Sequence, residues 1–222
     1  MGKIRILLAE DHIVVRQGIR GIIESEDDME IVGEAGDGEE AVQLVTQVEP
    51  DIVLMDIAMP RVNGIEATRR IKESYPSVAV LILTAYDSEE FIFALVEAGA
   101  AGYLLKNVQG RELLNSIRAV YDGESVLHPV IAEKIFSHLQ LEERRPVRPE
   151  RSKILSPREL EVLELSTGGL SNKEVAKELS VGIRTIQTHW RNIFNKLGVS
   201  SRTEAIIYGL RKGWIILAQS RE

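Results

Sequence analysis

The chain has 222 residues, 44% hydrophobic and 27% charged, the make-up of a globular protein of one or two domains and not of a disordered chain. It has no cysteine, hence no disulfide or thiolate site, and its longest apolar stretches run about six residues where a membrane span needs roughly 18. The net charge of −7 divides unevenly: residues 1–140 hold 12 Lys and Arg against 24 Asp and Glu, and residues 141–222 hold 15 against 10. An acidic half and a basic half imply two domains with different partners, the basic one suited to a polyanion.

The N-terminal Met-Gly-Lys-Ile-Arg leads into the strand-like run Ile4–Ala9 without the apolar core of a secretory signal, so a cytoplasmic location and no membrane partner are expected. Apolar spacing at Val15, Ile19, Ile22 and Ile23 predicts a helix over 12–25. A second strand, Met29–Val32, precedes a Gly-rich turn over 33–38, and a helix over 38–48 stops at Pro50. Strands at Ile52–Met55, Val78–Leu83 and Gly102–Leu105 alternate with helices at Gly64–Ser74, about 88–98 and about 109–122. Near-continuous apolar strands between amphipathic helices predict a doubly wound, five-stranded parallel sheet covered on both faces. A further helix is expected over 129–140, and the charged, proline-containing stretch 141–153 reads as a linker. Beyond it no sheet is expected. Four helices fit: Ser156–Thr167, Ser171–Leu179, Gly182–Leu197 and Ser201–Lys212. Capping boxes at Ser156–Glu159 and Ser171–Glu174 start two of them, and Gly168-Gly169 and Gly198 suit helix ends. The expected domains are 1–122 and 154–222, with 123–153 as connecting helix and linker.

In a parallel sheet the carboxyl ends of the strands share one rim, where ligands collect. Glu10 and Asp11 end the first strand, Asp56 the third and Thr84 the fourth, and Lys106 follows the fifth. Converging carboxylates repel unless a cation neutralises them, and an oxygen-rich site with open positions suits Mg²⁺. Asp56 could then attack phosphorus to form an aspartyl phosphate, with Lys106 and the metal steadying the developing charge.

These residues carry a resemblance. Leu-Leu-Ala-Glu10-Asp11-His12, Asp51-Ile-Val-Leu-Met-Asp56-Ile-Ala-Met59-Pro60, Asn63-Gly64, Leu83-Thr84-Ala85 and Gly102-Tyr103-Leu-Leu-Lys106 resemble the receiver domain of two-component response regulators over about 120 residues. The resemblance implies that Asp56 is the phosphoacceptor. It implies that Glu10, Asp11, Asp56 and the Ala58 carbonyl hold Mg²⁺, that Lys106 pairs with the phosphoryl group, and that Thr84 and Tyr103 form the switch pair. It implies a sensor histidine kinase as phosphoryl donor. His12 matches no ligand position and reads as a capping or surface histidine. Ala58 and Tyr86 occupy the two positions that modulate phosphoryl lifetime in the family, and a lifetime of minutes or longer is the expectation.

In the basic half, the helix 182–197 carries Arg184, Thr185, Gln187, Thr188, His189, Arg191, Asn192, Asn195 and Lys196, a mixture able to bond phosphates and base edges. Ile183, Ile186, Ile193 and Leu197 mark its buried side, and Trp190 falls off that stripe. Leu155-Ser-Pro-Arg-Glu-Leu, Gly169-Leu-Ser-Asn172-Lys173-Glu-Val-Ala, Arg184-Thr-Ile-Gln-Thr-His189 and Ile193-Phe-Asn-Lys-Leu-Gly198-Val, with Arg202 and Ala205, look like the LuxR-type helix-turn-helix of NarL/FixJ response regulators. That resemblance implies that helix 182–197 enters the major groove of double-stranded operator DNA, with Gln187, Thr188 and Arg191 facing base edges. It implies Asn172, Lys173, Arg184, Thr185 and Lys196 as phosphate contacts, helix 201–212 as a homodimer contact formed on phosphorylation, and RNA polymerase as a candidate partner. Many family members have Lys at the position of Gln187 and a small apolar residue at that of Trp190. The amide of Gln187 favours adenine.

Other classes fit less well. A haloacid-dehalogenase-like phosphatase wants a second Asp two residues after the nucleophile, where Ala58 stands. A nucleotide-binding enzyme wants a glycine-rich loop after the first strand, whereas Gly33, Gly36 and Gly38 follow the second. The chain therefore reads as a regulator and not an enzyme. The runner-up is a phosphorylation-independent DNA-binding regulator whose receiver serves as a dimerisation module.

Overall fold

The strands at Ile4–Ala9 (β1), Met29–Ala35 (β2), Ile52–Met55 (β3), Ala79–Thr84 (β4) and Gly102–Leu105 (β5) pair in parallel in the order β2-β1-β3-β4-β5, with the central runs of β1, β3 and β4 buried and the outer strand β2 largely half-buried. The computed structural model describes residues 2–85, 89–127, 154–167 and 169–215; Tyr86, Gly168, the helix expected over 129–140 and the linker 141–153 lie outside them. The connecting helices are Ile13–Glu24 (α1), Gly38–Val48 (α2), Gly64–Ser74 (α3), Glu89–Glu97 (α4) and Gly110–Tyr121 (α5).

Two features differ from the sequence reading. Strand β2 does not stop at Val32: Ile6 pairs with Ile31 and Leu7 with Gly33, so Val32 is the extra residue of a bulge, and pairing resumes through Ala35. A Cβ on Gly33 would lie 3.0 Å from Leu7 Cδ1, a tight approach to which the Leu7 side chain would have to yield. The sheet also continues past residue 122, because Val126–Leu127 (β6) pairs in parallel with Gly102–Tyr103 at its edge.

Alternate strand residues point to opposite faces. Ile6, Leu8, Ile52, Leu54, Leu81 and Leu104 pack with Ile19 and Ile23 of α1 and Leu113 and Ile117 of α5. Leu7, Val53, Met55, Val80 and Ile82 face α2, α3 and α4. That second cluster does not end with the sheet. It runs on into the helical half, through Val162 and Leu163, Ile186 and Ile193, and Ile207 and Leu210.

The helical half contains Pro157–Thr167 (α6), Asn172–Glu178 (α7), Ile183–Leu197 (α8) and Arg202–Arg211 (α9). Both capping boxes form: Glu159 N and Ser156 N are bonded to the Ser156 hydroxyl and the Glu159 carboxylate, and Ser171 and Glu174 are paired in the same way. Gly198 ends α8 at a φ of +67°, a left-handed cap that suits glycine. Helix α9 rests on α4, and Thr203 of α9 lines a narrow gap with Ile92, Leu95 and Tyr103 of the sheet half.

Candidate functional site

Short backbone links hold the strand ends in one rim. Glu10 N donates to Ala35 O at 3.0 Å, Asp56 N to Ala9 O at 2.9 Å and Lys106 N to Thr84 O at 2.8 Å. The side chains that follow converge. Lys106 Nζ lies 2.8 Å from Asp56 Oδ2 and 2.7 Å from Glu10 Oε2, an ammonium bridging two buried carboxylates. Burial works against the Lys106 charge, but hydrogen bonds to Asp56 and Glu10 outweigh it and hold its pKa above the ordinary lysine value. Asp56 Oδ1 accepts from Ile57 N at 2.8 Å, so backbone and ammonium together fix the carboxylate plane.

Thr84 and Tyr103, expected as a switch pair, are both buried, on the neighbouring strands β4 and β5. Ala58 is exposed in the turn that follows Asp56, between the buried Ile57 and Met59. That turn is closed by the start of α3: Gly64 N donates to Ile57 O at 2.9 Å, and Asn63 caps the helix by accepting from Glu66 N.

Ligand atoms of Glu10, Asp11, His12 and Asp56 all lie within 4.8 Å of one another. Asp11 Oδ1 is shut off from solvent and accepts no hydrogen bond of good geometry, although His12 Nδ1 is 2.8 Å away. A buried carboxylate oxygen without a donor offers a lone pair that a hard cation can take, so the residues fit a divalent metal. The sequence assigns His12 no place among the ligands. It stands at the N-cap of α1 without a side-chain capping bond, 67% exposed, with its ring over Asp11 and Glu10.

In the helical half, Arg184, Thr185, Thr188 and Arg191 are exposed on α8, and Lys173 is exposed on α7. Positions 184, 187, 188 and 191 are spaced for one helix face, so Gln187 shares it. The opposite face corrects the expected stripe. Trp190 is buried with Ile186 and Ile193, whereas Ile183, in the opening turn, is 44% exposed. Trp190 Nε1 donates to Asn172 Oδ1 at 3.1 Å, and its ring packs tilted against Phe194 with the centroids 5.5 Å apart.

Two expected phosphate contacts are engaged elsewhere. Lys196 Nζ lies 2.6 Å from Oε2 of the buried Glu159. Burial raises the Glu159 pKa, but Lys196 and the Ser156 donors outweigh it and hold the carboxyl below its ordinary range. Asn172 is buried and bonds to the sheet half: its N donates to Glu124 Oε1 at 2.9 Å and its Nδ2 to Asp122 O at 2.9 Å. No local periodicity marks this contact, because it joins residues about fifty positions apart.

Comparison with known proteins gives the same two parts. Residues 6–118 match the response regulator receiver domain family, and residues 153–209 match the bacterial regulatory proteins of the LuxR family. The chain is 40% identical over 211 residues to the transcriptional regulatory protein YxjL of Bacillus subtilis, covering 95% of this chain and 97% of that one. It is 39% identical to the oxygen regulatory protein NreC of Staphylococcus carnosus, covering 94% and 97%. Among solved structures, the response regulator ChrA of a heme-sensing two-component system aligns with a TM-score of 0.53 at 38% identity, over 97% of this chain and 100% of that chain. No helix among the described residues is long and apolar enough to cross a membrane.

Proposed function

The chain belongs to the two-component response regulators that join a receiver domain to a LuxR-type DNA-binding domain, and from that premise we propose that phosphorylation of Asp56 governs its grip on DNA. It is a transcriptional regulator. A carboxylate oxygen of Asp56 forms the new O–P bond as the P–N bond of the kinase phosphohistidine breaks, and the electron pair stays on the imidazole nitrogen. Mg²⁺, when held by Glu10, Asp11, Asp56 and the Ala58 carbonyl, supplies positive charge to the phosphoryl oxygens. Lys106 already spans Asp56 and Glu10 and needs little movement to meet a phosphoryl oxygen. That bridge is the observation that carries the reading, since it draws residues from three strand ends to one point.

The docked halves offer a route for the signal. Tyr103 shares a gap with Thr203 of α9, so a rearrangement of Thr84 and Tyr103 would be felt where α9 rests on α4. Phosphorylation shifts the balance only through its different interaction energy with the docked and open forms. In the open form Lys173, Arg184, Thr185, Gln187, Thr188 and Arg191 meet the duplex from an exposed face, and α9 becomes free to pair with a second copy. Asn172 and Lys196 join them once their present partners are given up. We assign residues 1–122, extended by the turn after α5 and the edge strand β6, and 154–222 to the two domains, the rest of 123–153 to the connection, and the protein to the cytoplasm.

The test is intact mass after incubation with acetyl phosphate and Mg²⁺. One phosphate adduct is expected in the wild type, none in Asp56→Ala and none with the metal chelated. Absence of an adduct in the wild type would turn the reading to a phosphorylation-independent regulator.

A further inference from the structure

The receiver touches the DNA-binding half at a second place, the turn after α5. Gly123 adopts a φ of +79° there, and the flanking residues both reach across. Glu124 Oε1 accepts from Asn172 N, and the Asp122 carbonyl accepts from Asn172 Nδ2 and, at 3.4 Å, from Gln187 Nε2. Behind Asn172 lies Arg202, 5% exposed, its guanidinium 5.0 Å from the Trp190 ring centroid. Arg202 donates to Asn172 Oδ1 at 3.4 Å and to the Leu170 carbonyl. Burial pushes its pKa down to about 10, and the carboxylate whose charge acts the other way is Glu124, from the other half of the chain. A buried guanidinium here depends on a neighbouring domain for its negative charge.

We propose that Glu124 is an interdomain latch that holds the place of a DNA backbone phosphate, satisfying the Asn172 N–H and compensating Arg202 only while the halves are docked. Carboxylate and phosphate oxygens are both anionic acceptors for such donors, and one N–H cannot serve both at once. DNA and the receiver therefore compete for Asn172, and the Asp122 carbonyl extends that competition to Gln187 on the base-facing side of α8. The inference rests on the reading of this surface as DNA-facing, and it adds the residue that sets the balance between docked and bound forms.

The probe is a fluorescein-labelled duplex of random sequence at low salt, because backbone contacts are independent of sequence. The parent is the full chain carrying Asp56→Ala, which removes phosphorylation from the comparison. Adding Glu124→Ala should tighten binding about tenfold, as loss of a charge-assisted hydrogen bond from the docked form implies. Glu124→Gln, which keeps an acceptor without the charge, should give a smaller gain in the same direction. Glu39→Ala, which deletes an exposed carboxylate remote from the interface, should give none. Unchanged affinity in both Glu124 variants, or an equal gain in Glu39→Ala, overturns the latch. Should Glu124→Ala fail to fold, Glu124→Gln decides. Wild type treated with acetyl phosphate separates the two ideas. A gain there without one in the Glu124 variants removes the latch and keeps the phosphorylation switch. A gain in the Glu124 variants alone does the reverse.

Discussion

Trp190→Ala is expected to cost the DNA-binding half about 3–5 kcal/mol, the range for deleting a large aromatic from a packed core. The ring is 3% exposed between Ile186, Ile193 and Phe194. Its loss leaves a cavity, removes one of the donors to Asn172 Oδ1 and takes away the surface on which Arg202 stacks. A desolvated cation without its packing partner adds to the penalty. Because Trp190 belongs to the buried cluster that runs from the sheet into the helical half, the effect should appear in urea unfolding as a lowered midpoint, largest for probes placed in the helical half. Trp190→Phe, which retains most of the volume but not the N–H, should fall between the two. A Trp190→Ala protein within about 1 kcal/mol of wild type would show that the ring is a surface contact and not an anchor.

Gly64→Ala is expected to damage the receiver site without touching a charged group. A Cβ at Gly64 would lie 2.1 Å from the Asp56 carbonyl oxygen and 3.0 Å from Ile57 Cα. Those neighbours are backbone, so no rotamer change relieves the clash, and the turn that carries Asp56 and Ala58 must move. Overpacking of this kind costs about 1–3 kcal/mol. The functional loss should be larger than the stability loss, because Asp56 would be displaced from Lys106 and Glu10. A thermal melt lowered by several degrees together with a slow or absent acetyl-phosphate adduct is expected. Adduct formation at the wild-type rate would mean that the turn yields without shifting the phosphoacceptor.

Much of the receiver was legible in the sequence because its signals are local. Short strands, most of them dominated by apolar residues, and helices with apolar spacing fix the sheet, and the sheet fixes the rim. Hence Glu10, Asp11, Asp56 and Lys106 meet as their positions at the strand ends require. The bulge at Val32 is less visible, since Gly33 reads equally as a turn until Leu7 is found packed against it. In α8, Trp190 follows Ile186 by four residues and precedes Ile193 by three, so it belongs to the buried stripe from which the sequence reading set it apart. Ile183 shares the apolar spacing but, as the first residue of α8, stays 44% exposed. The Lys196–Glu159 pair and the contacts from Asp122 and Glu124 to Asn172 were hidden. Each joins residues tens of positions apart through tertiary packing that leaves no period in the chain. The position of His12 over the acidic pair follows from the tight turn into α1, which spacing alone does not describe.

The most direct measurement of the switch is the affinity of the full chain for a labelled DNA duplex before and after treatment with acetyl phosphate and Mg²⁺, in wild type and in Asp56→Ala. Phosphorylation that opens the docked halves tightens binding in the wild type and leaves the variant unchanged. Equal affinity of phosphorylated and unphosphorylated wild type, with the adduct verified by mass, would contradict it.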